Sequence, residues 1–293
     1  MSALVNAMTV DVEDYFHVSA FDRVLTRDDW PAQESRVEAN TERLLALLAE
    51  HHVRATCFVL GWVAERCPGL VKTIAAGGHE VASHGYWHRL VYTQTPDEFR
   101  EDLRRARGVI EDASGTRLRG YRAPSFSITA QSLWALDVLA EEGYDYDASI
   151  FPIRHDRYGL PTAPRHIFRV QCGARDLVEA PGSTVRIAGV KMPMAGGGYF
   201  RILPYAWTRW GIDRLNRVER QPAVFYLHPW EIDPHQPRLA ADALGRFRHY
   251  RNLDRTEGRL RRLLAEFRFA PLGDVLPAQP PAAVLERAPA AVA

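Results

Sequence analysis

The chain lacks several features that mark protein classes, and each absence narrows what it can be. It has three cysteines, Cys57, Cys67 and Cys172. That is too few, and the wrong parity, for a disulfide framework, and none forms a CxxC pair. No window approaches about 18 uninterrupted apolar residues, so no membrane-spanning helix is expected. A charge excess of one sign is also missing: 37 basic residues against 36 acidic ones leave a net charge of +1. No polyanion-binding surface is implied, and no nucleic acid partner is expected. Residues 1–10 contain no basic n-region, no long apolar run and no cleavage site. Together with the unpaired cysteines, this favours a cytoplasmic location. Internal repeats are absent, and low-complexity sequence is confined to an Ala/Pro-rich tail, residues 278–293, expected to be poorly ordered.

What is present suits a soluble enzyme-sized domain. The chain has 293 residues, 46% of them hydrophobic and 25% charged, enough for one large core. Short apolar runs at 7–12, 55–60, 80–83, 118–122, 144–148 and 223–227 read as strands. Between them lie helical patterns: Leu44, Leu45, Leu47 and Leu48; then Leu70, Val71 and Ile74, stopped by Gly77-Gly78. A third begins at Thr95-Pro96-Asp97-Glu98, which offers an N-cap, a proline at N1 and a glutamate at N3. Its core face is Phe99, Leu103, Ala106 and Ile110, and a fourth helix carries Leu133, Trp134, Leu136 and Leu139. Repeated βα units imply an α/β fold with a mostly parallel sheet: a distorted or incomplete (β/α) barrel of about seven strands. The expected division is a barrel over 1–228, a C-terminal extension packed on it over 229–277, and the tail.

Ionisable residues sit where the strands end: Asp11 and Glu13, His84, Arg122, Asp147 and His228. Barrel chemistry is done at that rim. His84 and His88 are four apart, so a helical turn after the third strand would bring both imidazoles to one side. Two imidazoles and a carboxylate make a common ligand set for a divalent ion; alone, the spacing is a weak signal. Asp11-Val12-Glu13-Asp14 supplies carboxylates. On an extended chain Asp11 and Glu13 point to one side and Asp14 to the other. One can bind metal while the other serves as general base; the competing reading of such acids is helix capping.

The segments Thr9-Val10-Asp11-Val12-Glu13-Asp14, Ser83-His84-Gly85-Tyr86-Trp87-His88, Tyr121-Arg122-Ala123-Pro124, Tyr144-Asp145-Tyr146-Asp147-Ala148-Ser149 and Tyr226-Leu227-His228 occur in the order of the polysaccharide deacetylase family, the NodB-homology group or carbohydrate esterase family four, which they resemble. The likeness runs from about residue 5 to 230 and is most specific around the histidines. The wording VDVEDYF, GGGYFR and LHPWEID is most similar to a subfamily linked to exopolysaccharide biosynthesis and protein-sorting loci in Gram-negative bacteria.

The resemblance implies a set of roles. Asp11 is the catalytic base, and Glu13, His84 and His88 hold one divalent metal, zinc first, with cobalt, nickel or iron as alternatives. Arg122 orients the base, the backbone N–H near Ser125 faces the oxyanion, His228 is the general acid, and Asp147 orients it. Leu227 lines the acetyl pocket, while Tyr199 and Trp87 are aromatic candidates for contact with sugar rings. The partner is an N-acetylated glycan or its lipid-linked precursor, and the reaction is hydrolysis of a linear amide to acetate and an amine. Departures from the family pattern matter. Its metal-ligand aspartate, often in an adjacent Asp-Asp pair followed by Gly-Pro, gives way to Glu13 one residue further on, before Tyr15-Phe16. Glu13 and Asp14 therefore both stand as candidate ligands, with alternation favouring Glu13. The fourth motif lacks the family's tryptophan.

Alternative readings are an amidohydrolase of a small cyclic amide or ureide on the same fold, and a non-catalytic glycan-binding barrel. The glycine run at 195–198 is a substrate loop or a plain connector. Leu260, Leu263, Leu264 and Phe267, with arginines around them, form a basic amphipathic helix that either packs on the domain or touches an anionic membrane. Of the remaining histidines, His17 stands closest to the acids.

Overall fold

The structure, a computed structural model, describes residues 4–285. Its main sheet has nine strands. The path is β10 (Val224–Leu227), β1 (Val5–Val12), β2 (Thr56–Val59), β3 (Glu80–Ser83), β4 (Gly120–Tyr121), β5 (Tyr146–Asp147), β7 (Arg175–Glu179) and β6 (Phe168–Cys172). From β10 to β7 all seven strands are parallel, and β6 returns antiparallel as a hairpin partner. A short strand, β11 (Arg268–Ala270), pairs with the first half of β1. The sheet does not close on itself, so the expected incomplete barrel of seven parallel strands is what forms. A separate hairpin, β8 (Thr184–Ile187) and β9 (Val190–Pro193), stands apart from it.

Helices α1 (Val37–Glu50), α2 (Gly61–Arg66), α3 (Pro68–Ala76), α4 (Pro96–Ser114) and α5 (Trp134–Glu141) fill the crossovers. The start of α4 is the capping box read from sequence: Thr95 Oγ1 accepts from Glu98 N–H, and Glu98 Oε2 accepts from Thr95 N–H. Its end is Gly115 in a left-handed conformation, which glycine adopts without a Cβ penalty. Later come α6 (Gly197–Ile202), α7 (Tyr205–Asp213), α8 (Ala243–Tyr250), α9 (Leu253–Glu266) and α10 (Leu272–Val275). Among the described residues, no helix is long and apolar enough to cross a membrane.

Strand alternation sorts the core into two layers and fixes where chemistry can occur. On β1, Met8, Val10 and Val12 join the large cluster shared with the helices. Ala7 faces the other way, toward Phe58, Ala82, Tyr146, Ala148 and Val224 inside the barrel. Thr9, Asp11 and Glu13 share the parity of Ala7 and therefore open inward.

The segment after β10 packs back on the barrel. Leu253, Leu260, Leu263 and Leu264 of the basic helix α9 are buried. Arg259 caps the carbonyls of Phe200 and Arg201, and Arg261 pairs with Glu50 and Glu257. The apolar face is thus used internally. Part of the Ala/Pro-rich tail also docks: Arg169 N–H donates to Pro281 O, and Ala283 N–H donates to Arg169 O, at the β6 edge. Residues 286–293 of that tail lie outside the described residues.

Candidate metal and proton-transfer site

The inward face of β1 ends in Asp11 and then Glu13, both buried. Glu13 Oε2 lies 2.8 Å from His88 Nε2 and 3.8 Å from His84 Nε2. One donor atom from each of these three residues falls within 4.8 Å of the others. Two further observations fit a cation. Glu13 Oε2 is buried, and its 2.8 Å contact with His88 Nε2 lacks hydrogen-bond geometry; a buried acceptor-only oxygen in that state is costly unless a positive charge faces it. His84 Nδ1 must donate to the Arg122 carbonyl, 2.8 Å away, because a carbonyl can only accept. That leaves an unprotonated Nε2 turned toward Glu13 in the neutral ring, the tautomer a metal requires. Burial pushes His84 down to about 4, favouring the neutral ligand form. Burial pushes the Glu13 carboxyl up, but the imidazoles around it, His88 foremost, hold it well below the usual carboxylate range. The residues fit a divalent ion.

Asp14, the rival ligand, is committed elsewhere. Its Oδ2 accepts from Ser35 Oγ and from the backbone N–H groups of Arg36 and Val37, and its Oδ1 accepts from Tyr15 N–H. It anchors the entry to α1, the capping function that competed with metal binding in the sequence. His17, the histidine nearest the acids, also has a structural place: its Nδ1 accepts from Asp14 N–H, and its ring packs edge-on against Phe16, Trp30 and Trp62.

The two metal-side histidines do not ride on a helical turn, as their spacing suggested. Residues 84–90 form an irregular loop with Gly85 at φ 73° and His88 at φ 50°. Asp102 of α4 pins it, accepting from Tyr86 N–H at 2.7 Å and Trp87 N–H at 3.1 Å. A Cβ at Gly85 would stand 2.8 Å from that same carboxylate, so only glycine lets the loop close over it. Sequence reasoning missed Asp102; its signal was a charged residue inside the apolar face of α4.

Arg122, at the end of β4, is 1% exposed. Its Nη1 donates to Asp11 Oδ1 at 2.7 Å and to Thr9 Oγ1 at 2.8 Å, and its Nε donates to Ala148 O. Asp11 Oδ1 is thereby fixed, and Oδ2 lies 3.7 Å from His228 Nε2. The same nitrogen is 3.7 Å from Glu13 Oε1. One face of the site is therefore carboxylate and the other imidazole, with space between.

The expected partner of His228 is wrong. Asp147 sits on β5 between Tyr146 and Ala148, which both face the barrel interior. Alternation turns Asp147 outward, where it accepts from Ser149 Oγ and lies against Glu179 across the β5–β7 pair. His228 Nδ1 donates instead to Glu231 Oε1 at 2.7 Å. Glu231 in turn accepts from Arg201 Nε at 2.5 Å. Burial disfavours the His228 imidazolium, but Glu231, Glu13 and Asp11 around it raise its pKa to about 9.

A cleft opens over these groups. Its walls include Asp11, Glu13, His84, His88, His228 and Ser125. Ser125 and Phe126 are successive left-handed residues, both at φ 53°, an arrangement rare without glycine and a mark of an imposed local geometry. Three expected substrate contacts fall outside. Leu227 is fully buried in the helix-side core, because alternation gives the cleft side of β10 to Tyr226 and His228. Trp87 packs beside Tyr86 and Arg105. Tyr199 lies behind the cleft wall, with its hydroxyl 3.0 Å from that of Tyr158, which does line the cleft. The far wall, with His155, Arg157, Arg248 and His249, had no signal in the sequence.

Residues 20–146 match the family model for Polysaccharide deacetylase, and residues 148–277 match one described as a Domain of unknown function (DUF3473). A peptidoglycan-N-acetylglucosamine deacetylase of Bacillus cereus is 33% identical over 114 residues, 39% of this chain and 40% of that protein. The chain spans about two fifths of the length of the first curated relatives it matches. Among solved structures, a Mycobacterium smegmatis chain assigned as a polysaccharide deacetylase superposes with a TM-score of 0.58 at 21% identity, covering 92% of this chain and 89% of that one. An allantoinase superposes at 0.61 and 12% identity, covering 93% and 88%. These two share the fold.

Proposed function

We propose that this chain, which carries a polysaccharide deacetylase domain of the NodB-homology, carbohydrate esterase family four type, is a metal-dependent hydrolase that removes N-acetyl groups from a glycan. The observation that supports it most is the joint placement of Asp11, Glu13, His84, His88 and His228 in one cleft, with His228 Nε2 equidistant from Asp11 and Glu13.

Glu13, His84 and His88 would hold the ion. When bound there, a divalent metal supplies Lewis-acid polarisation of the acetamide carbonyl and makes water more acidic. Asp11, fixed by Arg122, accepts a proton from the attacking water through Oδ2. As the water oxygen bonds to the acetyl carbon, charge grows on the carbonyl oxygen, and a backbone N–H near Ser125, a residue that lines the cleft, would face it. The C–N bond then breaks as His228 Nε2 gives its proton to the departing nitrogen. Acetate and a free amine result.

The finer parts of the reading are zinc as the metal, exopolysaccharide biosynthesis as the setting, and the cytoplasm as the location. An imidazole pair with one carboxylate suits zinc, and three free cysteines agree with a reducing compartment. Acetate release should be measured across a panel of N-acetylated oligosaccharides, before and after chelation and with zinc, cobalt or nickel restored. The expected result is release that stops on chelation and returns with metal. No release from any substrate by metal-loaded protein overturns the reading.

A further inference from the structure

The stretch from 148 to 277 carries no assigned function, yet it supplies the imidazole that faces Asp11. Glu231 is 1% exposed and Arg201 2% exposed. Glu231 Oε1 receives both the Nδ1–H and the backbone N–H of His228, at 2.7 and 3.0 Å. Glu231 Oε2 receives Arg201 Nε. Both remaining guanidinium nitrogens are engaged: Nη1 on the carbonyls of His249 and Arg251, Nη2 on that of Arg248. Those carbonyls belong to the last turn of α8 and the residue after it, where helix carbonyls lack intrahelical partners and the dipole is negative. Trp230 is held between the rings of His228 and His249, at 5.0 and 4.2 Å and within 20° of parallel to both. The His228 ring is thus fixed in plane by Glu231 and from one face by Trp230.

We propose that Glu231 is the positioning residue for His228, with Arg201 clamping it to the end of α8, so that the DUF3473 region completes the proton-donating half of the site. This rests on the deacetylase reading. A carboxylate on Nδ1 can only accept, so the neutral ring left after proton transfer keeps its proton on Nδ1 and presents a bare Nε2 to the cleft. Recharging then occurs at the atom that faces the substrate. Asp147 has no part in this: it faces the opposite side of the sheet. Arg201 belongs to the Gly196-Gly197-Gly198-Tyr199-Phe200-Arg201 run, which gives those glycines a reason. Gly196 and Gly197 have φ of 107° and 50°, and a Cβ on either would strike Tyr226 at 2.1 and 2.5 Å. They let α6 start hard against β10, which brings Arg201 within reach of Glu231.

The test is Glu231→Gln in the full chain loaded with zinc. Arg201 takes the amide oxygen of the glutamine and leaves its NH2 toward His228, so the neutral ring should move its proton to Nε2. Ring 15N shifts of His228, recorded at a pH high enough for the ring to be neutral in both forms, read this without turnover. On a soluble N-acetylated oligosaccharide, kcat should fall roughly 10–100-fold, with KM within about threefold and metal content unchanged. Glu231→Asp, which keeps the charge, should restore part of kcat. If Glu231→Gln leaves both the ring proton and kcat as in wild type, the positioning role is overturned. A joint fall in kcat, metal content and melting temperature that Glu231→Asp does not relieve also overturns it, since that marks a merely structural residue. Wild-type protein that releases no acetate, but whose His228 proton shifts as described, refutes the deacetylase reading and leaves the positioning intact.

Discussion

Two pairs of buried carboxylates sit at the ends of strands of one sheet, Asp11 with Glu13 at the end of β1 and, beyond three intervening strands, Asp147 with Glu179 on β5 and β7, and they have opposite fates. All four are at most 2% exposed. The first pair opens toward the barrel interior and meets an arginine and three histidines. The second faces away from it, finds no cation at hydrogen-bonding distance among the described residues, and binds hydroxyl and backbone N–H groups instead: Ser149 Oγ on Asp147, Ile150 N–H on Glu179. Ser149 Oγ in turn accepts from Ala123 N–H, steadying the segment that leads to Ser125. Burial is common to all four, and a perturbed carboxyl occurs in each pair, at Glu13 and at Glu179, so neither property distinguishes chemistry from scaffolding. Cationic partners and access to a cleft do.

Exchanging charge for amide in the first pair should have the largest effect. Asp11→Asn keeps the shape and loses the base. Acetate release should fall by about 10³-fold or more while bound metal, read by elemental analysis, stays near one per chain. His88→Ala should fail differently, with metal content and activity lost together. If Asp11→Asn turns over at the wild-type rate, Asp11 is not the base and the contrast between the pairs collapses.

The second pair should answer in stability. Asp147→Ala removes the acceptor of Ser149 and exposes Glu179 to an empty partner, so the loss should be on the order of 1–3 kcal/mol, a drop of several degrees in melting temperature. Acetate release by the protein that remains folded should stay within about threefold of wild type. A loss of the size seen for Asp11→Asn would return Asp147 to the proton-transfer machinery.

The legibility of each region follows the range of its interactions. The capping box of α4, the strand ends and the pairing of Asp11 with Glu13 depend on neighbours within a few residues, and they read directly from sequence. The His84–His88 spacing was a sound pointer to a shared site, but Gly85 and the distant Asp102 set a bent loop where periodicity suggested a helical turn. Asp147 was assigned through resemblance alone, although its own alternation with Tyr146 and Ala148 could have shown that it faces away from His228. Glu231 lies three residues after His228, a local signal in hindsight, whereas Arg201 joins it across 30 residues and only the packing of α6 on β10 reveals it. Leu227 shows the same lesson: alternation turns it to the helix-side core, one residue from His228, which lines the cleft.

The smallest effect expected is one of slope. Burial pushes Glu179 well above its ordinary value, and the charge of Asp147 beside it pushes further. The folded state therefore keeps a proton that the unfolded chain releases near the ordinary value of 4.5. A raised carboxyl pKa means that the folded chain binds more protons, so stability is fully present below about 4.5 and declines as pH rises toward the folded value. Glu179→Gln imitates the protonated acid: its oxygen can accept from Ile150 N–H and its NH2 can donate to Asp147. It has no proton to lose. Denaturant unfolding at a series of pH values between 5 and 8 should show wild type losing stability with pH more steeply than the variant, by up to about 1.4 kcal/mol per unit for one proton. Acetate release should be unchanged within about twofold. Parallel slopes would mean that the pair does not hold a proton in the folded state, and that Asp147 and Glu179 are stabilised as two charges by contacts other than each other.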